Sequence, residues 1–489
     1  MNPFRLNNKS NTLILILVGL IYALLTIISL NNCYFWDNIQ QISKEAHWFY
    51  LTDFRSFLMP APNSGSEMVA TGYHPPLMGV MTAFLWKIFG YKLWVSHAFV
   101  LFWSAFLIYN VWKLIYLLFA EKFAGWVLLI VLLEPTILTQ FSIASPDFIL
   151  FTAFVISLRA VLEHKPKLLA IGVFFLCCIN MRGIFVGGIL FVVNCYFVYS
   201  TDNKFRFHSF FKTTLPYLPT LLLLLAYFSY YFIERGWFFS NSSYSEHYSL
   251  PGGIGRILKH LAEFGLRSIE NGRIFMWLLG FYIAFLTFKS KLALLQQAKA
   301  ILVFFFLLTG LYLVFIFITQ MPFSARYFMP QFFMLTLLVL LGATKFFPNR
   351  KIISVFLIVL CFELTGHFWI YPDKIAKSWD CTLAHLPYYG LREECFSFID
   401  QQKLDYNDIS AGFCLYGNRQ FIELNNAGKQ VGNDPNRKYF IYSNISNVED
   451  SLAVALNNPS IWKPIKRFKK GFVFIEIVEN TRFKNKFKP

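Results

Sequence analysis

Five residues whose side chains could carry chemistry stand beside long apolar stretches: Asp37, His74, Asp147, Arg182 and Arg326. Charged groups next to a membrane are costly unless they are paired or hydrated, so each is a candidate functional residue. Asp37 directly follows the first apolar stretch, and Asp147 begins a later one in the sequence ASPDF. A carboxylate in such a place could accept a proton, and the arginines could stabilise a developing anion.

Each of these residues also has a structural interpretation. Asp37 could be a helix cap, since Asp favours helix N-termini. The pair Tyr73-His74 precedes two prolines that present the histidine rigidly, but a proline-initiated helix with a surface histidine fits the same pattern. Arg182 and Arg326 could be anchors whose aliphatic stems lie in lipid while their heads reach water. Both interpretations stay open until the surrounding elements are placed.

The composition indicates a membrane protein. Of 489 residues, 56% are hydrophobic and 15% are charged, and there are 58 phenylalanines. A soluble domain carries about 25% charged residues, so a soluble enzyme, a disordered chain and a disulfide-stapled miniprotein are all excluded. The net charge is +17, but the basic residues are spread between hydrophobic stretches. A nucleic-acid binder would concentrate them on one soluble face, so we expect no nucleic-acid partner.

The apolar stretches predict about eleven spans of a polytopic all-α protein. They are 11–31, 94–119, 124–140, 147–162, 168–182, 184–200, 213–233, 274–288, 300–319, 327–344 and 352–370. The two around Arg182 are short and could form one hairpin of half-length helices. With the N-terminus inside, the basic loops fall on one side, as the positive-inside rule requires. Counting the apolar stretch 75–90 as a span would invert this pattern, so we expect it to lie in the interface, with a true second span as the alternative.

Three segments then lie on the extracytoplasmic side. They are the loop 32–93, the loop 234–273 and the tail 372–489. Within the second loop, residues 254–270 alternate apolar and charged positions as an interfacial amphipathic helix does. In the tail, 376–402 reads as a helix, and 409–416, 438–443 and 471–478 read as strands. We therefore predict a transmembrane domain over 1–371 and a small extracytoplasmic α/β domain over 372–489.

The cysteines and known motifs add little chemistry. Cys381 and Cys395 lie outside the spans, and we favour a disulfide between them, although connectivity cannot be read from a sequence. The chain contains neither a Walker loop nor a GxGxxG motif, so an ATP-driven pump is not expected. Its sequence shows no dedicated metal cage, although a divalent cation stays open as a cofactor.

Under this topology the five candidate residues all reach the extracytoplasmic face. Two acids and several cations in one vestibule suit transfer of a sugar from a lipid phosphate to a hydroxyl. The order of motifs resembles the GT-C glycosyltransferases, particularly the protein O-mannosyltransferases and the lipid A aminoarabinose transferase. That order is an Asp after the first span, His-Pro-Pro-Leu closing the first outer loop, Pro-Asp opening a span, and Arg-Tyr before a late span. The resemblance covers roughly residues 10–370, and an outer C-terminal α/β domain also recurs in that branch.

The resemblance implies roles for individual residues. Asp37 would be the base or acceptor-positioning acid, and Asp147 the second acid. The substrate-binding set would contain His74, Arg326 for phosphate, Arg182 on weaker grounds, and the neighbouring Tyr73 and Tyr327. Where many members have Asp-Glu in the first loop, this chain has Asn38 after the aspartate, so Glu45 or Glu67 could substitute.

The charged residues and this resemblance together predict an integral inner- or plasma-membrane glycosyltransferase. It would move a sugar, with inversion, from a polyprenyl-phosphate carrier to an extracytoplasmic glycan, lipid or protein acceptor. Membrane lipid would surround both the enzyme and its donor. The alternatives are a transporter or lipid flippase without transferase activity, and a non-catalytic assembly protein. The charged candidates sit at one face instead of the midplane where transporters bind their substrates, which favours the enzyme.

Overall fold

The computed structural model describes residues 9–60, 74–202, 207–237, 249–291, 293–320, 323–369, 379–425, 428–446 and 448–483. The predicted site residue Tyr73, the alternative acid Glu67 and the basic C-terminus 484–489 lie outside these ranges. Most of the described residues up to Gly366 are helical, and the described strands lie in the tail. The chain is a polytopic membrane protein of the all-α class with a small α/β region at its C-terminus.

The helices of the first part are numbered in chain order. They are α1 Lys9–Ser29, α2 Glu45–Leu51, α3 Leu77–Phe89, α4 Leu93–Leu118, α5 Glu121–Leu132, α6 Pro135–Ser142, α7 Pro146–Leu162, α8 Pro166–Ile179, α9 Met181–Asp202, α10 Phe207–Thr214, α11 Leu218–Arg235, α12 Ile254–Ile269, α13 Ile274–Ser290, α14 Gln296–Ile318, α15 Met329–Phe346 and α16 Asn349–Gly366. Prolines occupy the first turn of several of them, where the missing N–H costs nothing.

Each of the eleven predicted spans coincides with one helix or with a pair. Five helices of the described residues are long and apolar enough to cross a membrane: α1, α4, α9, α14 and the stretch Ala325–Phe346 that contains α15. Three bent pairs, α5 with α6, α10 with α11, and α12 with α13, would raise the number to eight if each pair were one span. In the last pair, which bends by 89°, only α13 matches a predicted span. The other predicted spans are α7, α8 and α16, of 17, 14 and 18 residues. The helix α9 has 22 residues, so it is not half-length, although α8 is short.

Two predicted interfacial segments are helices in the structure. The stretch 75–90 forms α3, whose 13 residues rise about 20 Å, against about 30 Å of hydrocarbon to cross. The stretch 254–270 forms α12, on which Ile254 and Leu258 are exposed while His260 is buried. An exposed apolar row beside charged positions is the pattern expected at a membrane surface.

The tail is built on a four-stranded sheet of order β1-β4-β6-β5, with a second two-stranded sheet β2-β3. The strands are β1 Ile409–Ala411, β2 Gly417–Asn418, β3 Gln430–Val431, β4 Tyr439–Ser443, β5 Trp462–Lys470 and β6 Val473–Asn480. The strands β1 and β4 are parallel, and the other pairs are antiparallel. The helices are α17 Pro387–Gln401, α18 Arg419–Glu423 and α19 Asp450–Leu456. Residues of α17 and of the sheet share one buried core.

Three details of the predicted tail were wrong. The helix expected over 376–402 begins only at Pro387, after two short 3-10 turns, because proline fits the first turn of a helix. The strand expected over 409–416 ends at Ala411, and Cys414 then has a positive φ of 78°, which no strand tolerates. The disulfide is absent: all eight cysteines are described and all are free thiols, with Cys381 in the helical core and Cys395 in the tail core.

The tail packs against the end of α1 and the segment that follows it. The amide of Tyr34 donates to the carbonyl oxygen of Ile422 over 2.9 Å. The hydroxyl of Ser43 donates to the carbonyl oxygen of Phe421 over 2.5 Å. Phe35 is fully buried among aromatic residues of the tail. The segment that carries Asp37 is therefore held between the helical part and the tail.

Candidate functional site

Four chain segments bring the predicted charged residues together at one end of the helices. Asp37 follows the end of α1, Asp147 lies in the first turn of α7, Arg182 in the first turn of α9, and Arg326 in the 3-10 turn before α15. Local sequence fixes these places: Ser145 caps α7 and its hydroxyl accepts the amide of Asp147 over 3.1 Å. A carboxylate in the first turn of a helix is also favoured by the helix dipole.

Arg326 is the centre of the cluster. Its Nη2 donates to Oδ2 of Asp37, its Nε lies 3.4 Å from Oδ2 of Asp147, and its Nη1 lies 3.3 Å from Oδ2 of Asp380. The arginine side chain is only 7% exposed. A planar guanidinium presents its donors in fixed directions, so it can face three carboxylates at once. Arg326 therefore forms an ion pair with Asp37 and lies within salt-bridge distance of two more acids, so it is not the lipid-facing anchor that the sequence left open.

Arg182 is more accessible. Its Nη2 lies 2.6 Å from Oδ1 of Asp147, and its guanidinium carbon lies 3.9 Å from the centre of the Tyr327 ring. The side chain of Arg182 is 21% exposed. Tyr327 is fixed in turn, because its carbonyl oxygen accepts the hydroxyl of Tyr312 over 2.6 Å. An arginine with one acid and one aromatic neighbour retains donors for an incoming anion.

His74 joins the cluster as a neutral side chain. Its Nδ1 accepts the amide of Met181, the first residue of α9, over 3.4 Å. Burial, followed by the charge of Arg182, lowers the pKa of His74 to about 3. An Nδ1 that accepts a hydrogen bond places the proton of the neutral ring on Nε2. The histidine therefore supplies a hydrogen-bond donor, and it is not one of the cations that the sequence suggested.

Asp37 remains an ionised carboxylate with access to solvent. Burial alone would raise the pKa of Asp37, but the charge and hydrogen bond of Arg326, and then the charge of Arg182, outweigh that effect and lower it below its ordinary value. Its side chain is 34% exposed, more than that of the other acids in the cluster. Its neighbour Asn38 is buried and donates to the carbonyl oxygen of Ile143 over 2.7 Å, which ties this segment to the end of α6.

Sequence reasoning missed Asp380, the third carboxylate on Arg326. It lies in the 3-10 turn Trp379–Cys381 at the start of the described tail, and burial, opposed by Arg326, raises its pKa. The tripeptide Trp-Asp-Cys has no hydrophobic periodicity that would predict an element or a face. Its one informative feature is an acid between two residue types that favour burial. The alternative acid Glu45 lies elsewhere, buried where α2 crosses α3, and burial raises its pKa well above the ordinary value.

A second buried charge pair lies beside the cluster. Arg273, before α13, donates through Nε to Oε1 of Glu134 over 2.9 Å, and Glu134 also accepts the amide of Ile137 at the start of α6. Both side chains of the pair are buried. This pair ties the bend between α12 and α13 to α6. Among the described residues no group of three or more His, Cys, Asp or Glu side chains could hold a metal ion.

Solved structures resemble the chain over almost its whole length. The apo crystal structure of ArnT from Cupriavidus metallidurans superposes with a TM-score of 0.54 and covers 96% of this chain and 98% of ArnT. The ArnT structure bound to undecaprenyl phosphate gives a TM-score of 0.51, with 95% and 97% covered. Sequence identity is 12% in both cases. The cryo-EM structure of the arabinofuranosyltransferase AftD from Mycobacteria, at 11% identity, covers 95% of this chain and 40% of AftD, with a TM-score of 0.47.

No family model matches the sequence, and no curated protein matches it. The resemblance is therefore one of fold, carried over nearly all of both chains at very low identity. It includes the membrane helices and the C-terminal region together, as the coverage requires. The predicted architecture of membrane helices followed by a small α/β region is confirmed, and the chain has the fold of the ArnT structures.

Proposed function

We propose that this protein is a glycosyltransferase that moves a sugar from a polyprenyl-phosphate carrier to a hydroxyl acceptor. The observation that carries the proposal is the cluster itself: an accessible ionised carboxylate, Asp37, beside an accessible arginine, Arg182. The GT-C fold supports it, and so does the undecaprenyl phosphate bound by ArnT, a protein of the same fold. The acid and the cation lie together at one end of the helices, whereas transporters typically bind their substrates near the membrane midplane, so the cluster favours a transferase over a transporter.

Asp37 would handle the acceptor. The acceptor oxygen attacks the anomeric carbon while the bond from that carbon to the phosphate oxygen breaks on the opposite side, which inverts the configuration. The acceptor proton passes to the carboxylate of Asp37, and polyprenyl phosphate leaves with the bonding electrons. Because the pKa of Asp37 is held low, the carboxylate is charged before the reaction. It then accepts the proton as the acceptor oxygen becomes acidic in the transition state.

Arg182 and His74 would receive the phosphate. The guanidinium of Arg182 offers a planar fork that matches phosphate, and His74 offers its Nε2 proton. The N-terminus of α9 adds the positive end of a helix dipole at the same place. Arg326 was predicted as the phosphate contact. In this structure its three nitrogens face three carboxylates, so we propose that it mainly places Asp37 and Asp147.

The remaining assignments are proposals as well. We assign the catalytic part to 1–371 and a separate domain to 372–489, with the cluster on the extracytoplasmic face of the inner or plasma membrane. The packing of Phe35 into the tail core is consistent with a tail on the same side as the cluster. The distribution of basic loops in the sequence supports this orientation. The acceptor would be a glycan, glycolipid or protein of the cell envelope.

Mass spectrometry of envelope glycans and glycolipids tests the proposal. Cells that express the gene should contain a sugar-modified product that cells without it lack. In cells that carry Asp37→Asn the product should form about 10²–10⁴-fold more slowly, because a positioned acid–base group is lost. The matched control is Asp53→Asn, in the same loop, whose carboxylate is exposed and pairs with Lys87. Identical envelopes with and without the gene would refute the transferase.

A further inference from the structure

One carboxylate of the cluster comes from the tail. Asp380 follows the last helix of the membrane part, yet its Oδ2 lies 3.3 Å from Nη1 of Arg326. The side chain is 6% exposed. It is therefore a buried charge that belongs to the cluster, although the chain reaches it only after α16 has ended. A buried carboxylate opposite an arginine is costly to lose, because the arginine would then face an empty position.

Asp380 is held firmly by its surroundings. Its carbonyl oxygen accepts Nε2 of Gln140 over 2.6 Å, and the indole of its neighbour Trp379 is buried. Two residues later, the hydroxyl of Thr382 donates to the carbonyl oxygen of His367 over 2.6 Å. These contacts join the 3-10 turn to α6 and to the end of α16. The carboxylate therefore has a fixed direction towards the arginine.

The geometry of Arg326 gives this contact a consequence. A guanidinium is rigid and planar, so holding one nitrogen limits the directions of the other two. With Nη1 facing Asp380 and Nε facing Asp147, the remaining Nη2 is left to Asp37. Without the carboxylate of Asp380, the guanidinium plane of Arg326 could rotate. Two of its nitrogens could then contact the same carboxylate, that of Asp37 or that of Asp147. The position and charge of the accessible Asp37 thus depend on Asp380, a residue of the tail.

We propose that Asp380 is a positioning residue that, through Arg326, sets the place and charge of Asp37 and so couples the C-terminal region to the reaction centre. The inference rests on the proposed function for its catalytic meaning. The structural part stands on the three contacts of Arg326. Asp380 touches neither donor nor acceptor in this proposal, and it acts only through the arginine.

The charges around Asp37 give the proposal a substrate-free test. Arg326, Arg182 and His74 influence the pKa of Asp37, and Asp380 is itself affected by Asp37. Removing the negative charge of Asp380 should therefore lower the pKa of Asp37 further, both by relieving repulsion and by releasing Nη1 towards it. A water-soluble carbodiimide reacts with protonated carboxyls, and peptide mass spectrometry reports its modification of Asp37 at each pH.

The full-length protein in detergent is compared with Asp380→Asn. In the variant the midpoint of Asp37 modification should move to lower pH. The matched control is Glu423→Gln, which removes a partly buried tail carboxylate that pairs with Arg392 and Arg419 instead of with Arg326, and it should leave the midpoint unchanged. An unchanged or higher midpoint in Asp380→Asn would overturn the inference. This readout needs no sugar donor, so it is independent of whether the transferase proposal holds.

Turnover supplies the catalytic part of the test. In cells, Asp380→Asn should reduce the envelope product about 10²-fold at equal protein level, since a misplacement near 1 Å costs about that much. If the Asn variant does not fold, Asp380→Glu serves instead, because it keeps the charge and displaces it by one methylene. Asp380→Glu should lower product formation about tenfold, a loss between that of the wild type and that of Asp380→Asn. Wild-type turnover in a folded Asp380→Asn or in Asp380→Glu refutes the positioning role, whereas no product from the wild type refutes only the transferase.

Discussion

Replacing Arg326 by lysine separates a positioning role from a phosphate-binding role. The arginine reaches three carboxylates through three different nitrogens, and its side chain is 7% exposed. Lysine keeps the charge but concentrates it on one nitrogen at the end of a flexible stem. An ammonium cannot face Asp37, Asp147 and Asp380 in the same way. We therefore expect Arg326→Lys to lose stability and to leave the binding of lipid phosphate nearly unchanged.

The size of the loss follows from the contacts. A hydrogen bond to a charged group contributes about 1.5–3 kcal/mol, so losing one net bond should lower the free energy of unfolding by about that amount. Arg326→Gln removes the cation and leaves three acids close together, so its cost should be higher, about 3–5 kcal/mol. The more accessible Arg182 should behave differently. Arg182→Lys should weaken binding of undecaprenyl phosphate about ten- to a hundredfold and affect stability less.

Purified protein in detergent provides both measurements. Thermal unfolding reports stability, and titration with undecaprenyl phosphate reports affinity. A matched control is Arg159→Lys, because Arg159 is equally buried and pairs with Glu163 and Asn110 at the far end of α7. It should lose stability without any change in affinity. If Arg326→Lys kept its stability but lost affinity as strongly as Arg182→Lys, Arg326 would be the phosphate contact and the positioning argument would fail.

Two further predictions concern packing and topology. Gly79→Ala should destabilise the protein measurably in thermal unfolding, because an added Cβ would lie 2.4 Å from Cβ of Glu45; an unchanged melting temperature would contradict the close crossing of α2 and α3. Cysteines introduced by Lys122→Cys and Asp400→Cys, in a chain without reactive native thiols, should react with a membrane-impermeant maleimide from opposite sides of the membrane. Labelling of both from one side would refute the predicted orientation.

The convergence of the charged residues could be predicted because it depends on features that a sequence shows directly. Asp37, Asp147, Arg182 and Arg326 each lie at the end of an apolar helix. When helices alternate in direction across a membrane, every second end falls on the same side. Placing the helices therefore brought these four residues to one surface. Their pairing could not be predicted, because it depends on helix rotation that the hydrophobic pattern leaves undetermined.

The tail was harder to predict, for two physical reasons. The strand β5 has the sequence WKPIKRFKK, in which most side chains are exposed on both faces, so it lacks the alternation that marks a half-buried strand. It forms because it pairs with the buried strand β6, a long-range contact that its own sequence does not show. The contact of Asp380 with Arg326 is equally long-range. Tertiary context decides both features.

In the proposed reaction, the charges of the cluster favour Arg182 over Arg326 as the cation that meets the phosphate. Three carboxylates face two guanidiniums, so the cluster by itself carries an excess of negative charge. A sugar phosphodiester brings one negative charge, and the departing polyprenyl phosphate gains a second. We expect Arg182 to be drawn from Asp147 towards the phosphate more strongly in the transition state than in the ground state, because only such differential binding accelerates a reaction. We expect Arg326 to keep its contacts with the three carboxylates, so that Asp147 still faces one cation after Arg182 has moved towards the phosphate.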